Sequence, residues 1–292
     1  MPVDYIVLLG AAAYPLFLVS AYDIANAQTE DQRRIERILK KSKDDGAVVL
    51  MDSGQYESFW RGDRSWTAQR FHAVCSTYEH HLSFCHDNQE PPSTADAIAD
   101  DVIASVLRDQ DHAIGTSLPI IHGPSDFLPT AAQKVAKQLR PVLLAVPERI
   151  LGNGILARTR AIKKLRRALN ELGFYSPLHL LGTGNPLSMI AYALAGADSF
   201  DGLEWCQTIV DHDTGMLYHF QQWDFFRGQT EWGGNGMLPF IQSALMHNLI
   251  FYKNFMQELR DTLNRGAAKE FLGKYFPAEA SGAILRVIEG SD

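Results

Sequence analysis

From residue 178 to residue 201 the chain reads LHLLGTGNPLSMIAYALAGADSFD, and no other stretch restricts the fold as tightly. Residues 178–181 form an apolar run of strand length, and Gly182-Thr183-Gly184 marks a tight bend or a close approach to a ligand. Asn185 is a capping residue and Pro186 suits a first helical turn. Leu187, Ile190, Ala191 and Leu194 then recur at helical spacing, and Gly196 supplies a left-handed stop. A second strand starts at Ala197, so Asp201 falls at its carboxyl end. In parallel α/β folds that edge carries the chemistry.

The same alternation runs through the chain. Apolar runs at 5–9, 16–20, 48–51, 82–84, 118–121, 142–146, 178–181 and 198–201 predict strands. Helical patterns at 29–41, 66–78, 93–109, 125–139, 157–172 and 186–195 lie between them, each beginning near a capping or proline residue. This predicts an α/β protein, a TIM-like (β/α)8 barrel, as one domain over 1–292 with its core over about 1–205. The first two runs are too close for a crossover helix, so one of them serves as a cap or an antiparallel piece. Residues 207–236, rich in glycine, aromatic and polar residues without a period, predict a long loop or insertion. An amphipathic helix over 239–263 follows, with Ile241, Leu245, Leu249, Tyr252, Met256, Leu259 and Leu263 on one face. C-terminal helices complete the addition over 237–292.

At 292 residues and 46% hydrophobic composition the chain has enough apolar residues for one barrel core. A net charge of -7 gives no global positive field, so any polynucleotide contact must use a local basic patch. Cys75, Cys85 and Cys206 show no C-x-x-C spacing, which argues against a disulfide scaffold and a zinc ribbon and fits a reducing cytoplasm. Residues 5–22 approach membrane-span length, but Pro15 breaks the run and Asp4 is the only charge before it, so neither an anchor nor a signal peptide is expected.

Three aspartates fall just past predicted strand ends: Asp52 in VVLMDSGQYE, Asp87 in LSFCHDNQ, and Asp201. A single one of these most often caps or turns the chain. Three together can converge at one barrel mouth, where paired carboxylates support glycosidase, transglycosylase or metal chemistry without choosing among them.

Motif wording separates these alternatives. MDSGQYE resembles the D-S-G-G-F-Q motif of the tRNA-guanine transglycosylase superfamily, and HLLGTGNP with GADSFD resembles its Y-L-M-G-V-G-x-P and G-x-D-x-F-D segments. LSFCHDNQ, LPIIHG, LLAVPERI and MHNLIFYKNFMQELRD resemble further segments of that family in the same order, so the likeness spans about residues 48 to 261. The resemblance implies that Asp201 is the nucleophile at C1′ and Asp52 the general acid/base. It also implies that Asp87 reads the N–H donors of guanine or a 7-deazaguanine, with Ser53, Tyr56, His122, Glu148 and Gly182 around the base.

Two departures refine the likeness. His247 matches a zinc-ligating histidine of the family, but Met216, Tyr218 and Gln221 stand where its cysteines would be, so no zinc and no other cofactor is expected. An improvised site from Cys206, His212, His219 and His247 is the alternative. The family's P-T-R segment after the nucleophile is replaced by Gly202-Leu203-Glu204. A retained base-exchange centre with altered polynucleotide contacts is most similar to the DNA-modifying 7-deazaguanine transglycosylases of the DpdA type. The partners this implies are DNA, with tRNA as the alternative, and a 7-deazaguanine base. A helicase-like or other modification-system partner and a homodimer remain open, and no membrane association is expected. Arg158, Arg160, Lys163, Lys164 and Arg167 on the 157–172 helix are the candidate phosphate contacts, set against a merely solvated basic face. Trp60, Arg61 and Arg64, and Trp205, Trp223 and Trp232, are candidates to stack splayed bases. A non-catalytic transglycosylase subunit and a metal-dependent barrel hydrolase are the competing readings.

Overall fold

The computed structural model describes residues 3–234 and 238–290, so the ends of the expected 207–236 insertion and of the C-terminal segment, at Gly236 and at Ser291 and Asp292, lie outside the described residues, as does Met237. It is an α/β protein with parallel strands, in two compact units. The first holds the chain up to Ile150 together with Ala168–Pro177, and the second holds Leu151–Arg167 together with the chain from Leu178 onward.

In the first unit, strands β1 (Leu16–Ser20), β2 (Val48–Asp52), β3 (Leu82–Phe84) and β4 (Thr116–Leu118) pair in parallel and in sequence order. Pro119 has no N–H to continue the β4 ladder. The chain nonetheless stays alongside β5 (Leu144–Pro147) through a parallel bridge at Ile120 and Ala145. Helices α1 (Val3–Ala11), α2 (Ala21–Asn26), α3 (Thr29–Asp44), α4 (Gln55–Arg61), α5 (Ala68–Cys75), α6 (Ala95–Gln110) and α7 (Leu128–Leu139) belong to this unit. Helix α6 buries Ile98, Val102, Ile103 and Val106 at helical spacing. Burying a side chain of that size stabilises by about 1.5–3 kcal/mol.

Residues 5–9, expected as a strand, are instead the middle of α1. An all-apolar run has no period to separate the two states. The helix buries Ile6 and Leu9 one turn apart and places Asp4 in its first turn, complementing the helix dipole. Its Gly10 lies so close to α3 that a Cβ there would stand 2.7 Å from the Ile38 side chain.

In the second unit, β6 (Leu178–Leu181) and β7 (Ser199–Phe200) pair in parallel, with His179 opposite Ser199. Between them α9 (Pro186–Ala195) has the bounds its sequence predicts: the Asn185 side chain accepts from the Leu187 and Ser188 N–H groups, and Gly196 closes it at φ 110°. α8 (Ile155–Asn170) precedes them in the chain. The expected loop after Asp201 contains an antiparallel hairpin, β8 (Thr208–Val210) with β9 (Leu217–His219), and short helical turns. The long helix Phe240–Asn264 and the helices Ala268–Tyr275 and Ala278–Glu289 follow. Among the described residues no helix is long and apolar enough to cross a membrane.

Candidate functional site

A group of polar side chains gathers at the carboxyl ends of β2 and β3 and just beyond β4. Asp52 closes β2, and the chain then turns through Ser53 and Gly54 into α4. Gly54 has φ 69°, and a Cβ on it would lie 2.2 Å from Tyr22 Cβ, so both backbone conformation and space require glycine. Its N–H donates to Asp52 Oδ2 at 2.9 Å. Ser53 is buried, held by its carbonyl accepting from Trp66 Nε1 at 3.0 Å. Its hydroxyl donates to Asp87 Oδ1 at 2.8 Å.

Asp87, only 6% exposed, receives His122 Nε2 on Oδ2 at 2.6 Å, and the Gln89 amide donates to the same oxygen. Burial by itself raises the Asp87 carboxyl. The hydrogen bond and charge of His122, with the Ser53 hydroxyl, outweigh it and hold the group below the usual carboxylate range. The result is a buried carboxylate kept ionised and aimed at donors. Gln89 Oε1 accepts from Arg149 Nη2 at 2.7 Å, and the Arg149 guanidinium lies 4.3 Å from the centre of the Tyr56 ring. Glu148 opens the short helical turn that carries Arg149.

Behind this group stands an ion cluster. Asp109, 1% exposed, accepts from His72 Nε2 at 2.7 Å, from Arg108 Nε at 2.6 Å and from the His86 backbone N–H at 2.6 Å. Arg108 Nη2 donates to the His86 carbonyl at 2.8 Å. The pair therefore grips both polar ends of the residue before Asp87. Asp109→Asn should cost ~2–4 kcal/mol, because it leaves a buried ion cluster without its anion. Chemical denaturation measures that loss, and hydrogen exchange at the His86 amide should accelerate with it.

Asp201 belongs to the second unit. Its Oδ1 accepts from the Gly182 N–H at 3.1 Å and meets His179 Nε2 at 3.1 Å, while His179 Nδ1 meets Ser199 Oγ at 2.8 Å. Oδ2 has no hydrogen bond among the described residues, and the side chain is 26% exposed. One oxygen is thus anchored and the other is open. The turn after β6 and the turn after β7 meet at glycines, since a Cβ on Gly202 would stand 2.5 Å from the Gly184 nitrogen.

The side chains named as an alternative zinc set each have a hydrogen-bond partner within the chain. His247 is fully buried, with Nε2 donating to the Val210 carbonyl at 2.8 Å and the Thr230 hydroxyl 3.3 Å from Nδ1. His212 Nε2 donates to the His247 carbonyl at 3.1 Å, Cys206 Sγ donates to the Leu203 carbonyl at 3.2 Å, and the His219 ring caps Gln221. Among the described residues no three His, Cys, Asp or Glu side chains form a metal-holding group. Burial lowers the His247 imidazole to about 4. A histidine depressed on folding contributes its full stability above its unfolded value and loses it as pH falls toward the folded one. Thermal unfolding should therefore show ~3 kcal/mol lost between about pH 6.5 and pH 4, a slope that His247→Gln flattens.

Of the predicted polynucleotide contacts, Arg160, Lys164 and Arg167 are exposed on α8. Arg158 donates to the Gly152 carbonyl at 2.9 Å and Lys163 to the Val287 carbonyl at 2.9 Å, so both are partly engaged within the chain. Trp223 is a core residue, packed with Ile209 and Ala244 and edge-on to His247, which removes it from the candidate stacking side chains. Gln89, Arg149, Arg108, Asp109 and His179 were not singled out by the sequence. No family model and no curated protein matches the chain.

Proposed function

We propose that this chain is a base-exchange transglycosylase that replaces guanine in DNA with a 7-deazaguanine, 7-cyano-7-deazaguanine being the form favoured. The observation that carries the reading is the buried group Ser53–Asp87–His122 at neighbouring parallel strand ends. A carboxylate held ionised and already accepting an amide N–H from Gln89 suits the N1–H and exocyclic amine of a guanine-type ring. Tyr56 offers that ring a stacking face, with Glu148 and His122 as further contacts, and the resemblance gives Gly182 the same role.

In the proposed reaction the open oxygen of Asp201 attacks C1′, forming an ester as the bond from C1′ to N9 of guanine breaks. Asp52 passes its proton to the departing N9. The incoming 7-deazaguanine then returns its N9 proton to Asp52 and attacks C1′, and the bond to Asp201 breaks. His179 and the Gly182 N–H hold Asp201 Oδ1, leaving Oδ2 for attack. No metal is needed for these steps. Parallel strands in sequence order within each unit agree with a (β/α)8 barrel as the finer architecture proposed, and a reducing cytoplasm as the setting agrees with three buried free thiols.

The altered segments after Asp201 and around His247 favour DNA over tRNA. Incubation with labelled guanine and, separately, single-stranded DNA, duplex DNA and tRNA tests this. Label is expected in DNA. Label in tRNA alone would move the substrate, and label in no polymer would overturn the reading.

A further inference from the structure

Helix α4 leaves the Ser53–Gly54 turn and presents three aromatic side chains to solvent. Trp60 is 68% exposed, and Tyr56 and Phe59 are each 44% exposed. The Tyr56 and Trp60 ring centres lie 6.1 Å apart and those of Phe59 and Trp60 5.8 Å apart, both pairs edge to face. Even so packed, Trp60 keeps about two thirds of its surface in solvent. Exposed aromatics gathered on one short helix mark an interaction surface rather than scattered surface residues.

The surrounding charge identifies the occupant. Arg61 and Arg64 follow the rings in the chain and are exposed, the Arg61 guanidinium lying 5.6 Å from the centre of the Tyr22 ring. Arg149 lies against Tyr56. Exposed rings followed by two arginines, with Glu57 and Asp63 as the carboxylates of the same stretch, offer stacking faces and phosphate contacts to an anionic polymer with stackable bases. Tyr56 also belongs to the site holding Asp87, so the surface continues from the base-reading group.

We propose that Phe59 and Trp60, with Arg61 and Arg64 next to them in the chain, form a stacking platform for unpaired nucleotides of single-stranded DNA flanking the target base, adjacent to Tyr56 at the base-reading group. The assignment of DNA rests on the base-exchange reading above. The platform reads no sequence, because every base has a π face. The protein therefore holds an already opened strand, and duplex DNA is a poor ligand unless it is unpaired first.

Fluorescence anisotropy of the full chain with labelled oligothymidylate tests this. The wild type is expected to bind, and Phe59→Ala with Trp60→Ala to weaken binding about tenfold or more. Trp60→Tyr, which keeps a ring, should recover most of the affinity. Arg61→Gln with Arg64→Gln should flatten the salt dependence by roughly 0.7 in log–log slope per residue. Binding indifferent to both rings would overturn the platform, as would no binding at about 50 mM salt. So would a preference for oligouridylate, for duplex, or for self-association that Trp60→Ala abolishes. Oligothymidylate contains no guanine, so the two proposals fail separately. Ring-dependent binding without base exchange defeats the exchange reading alone, and exchange with ring-independent binding defeats the platform alone.

Discussion

Asp201→Asn should abolish base exchange, by on the order of 10⁴-fold or more, and eliminate the denaturation-resistant protein–DNA adduct expected of the wild type. The asparagine keeps an oxygen for the Gly182 N–H, so the local fold loses little, while the negative oxygen needed for attack on C1′ is gone. Asp201→Ala should be equally inactive but less stable by about 1 kcal/mol, since that N–H and His179 then lose their acceptor. Mass spectrometry of the trapped adduct places the linkage. An adduct formed at normal rate by Asp201→Asn would defeat the assignment of the nucleophile.

Asp87→Asn should leave folding nearly intact and weaken base binding by roughly 10³-fold or more. The substituted side chain still accepts the Ser53 hydroxyl, but its NH2 group then faces His122 and the N–H donors of the base, setting donor against donor. The more specific outcome is a collapse of discrimination. Wild type should prefer guanine strongly over hypoxanthine, which lacks the exocyclic amine, and Asp87→Asn should bind both feebly and alike. Calorimetry with the free bases measures this without turnover. The pH sign follows from the held-down carboxyl. A depressed carboxylate contributes above its ordinary range and is lost as pH falls through its lowered value, so base affinity should stay level from neutral pH to about 4. A fall in affinity already complete by about pH 5 would contradict the ionised Asp87.

Much of the frame was legible because local chemistry and the fold agree. Asn185, Pro186 and Gly196 bracket α9 with its own caps, and the apolar runs ending in Asp52 and Asp201 reach strand ends. Strand-end logic pointed to Asp87 as well, while Ser53 and His122 were named only through the family resemblance, and neither route gave the bonds among the three. The segment 5–9 was misread because uniform apolarity carries no period. Arg108 and Asp109 were unreadable for the opposite reason: within VLRDQDH they look like a solvated helix end, and only folding brings His72 and the His86 peptide onto them. Gln89 and Arg149, 60 positions apart, meet for the same reason.

The order in which the two units are spelled along the chain has a consequence for synthesis. The first unit is interrupted after Ile150 and resumes only at Ala168, so a ribosome must release Ala168–Pro177 before that unit can finish. The intervening Leu151–Arg167 waits still longer, for partners in the second unit that begin at Leu178. No single stop codon or protease cut can yield either half intact, and a gene shortened after residue 150 encodes a fragment with an unfinished core.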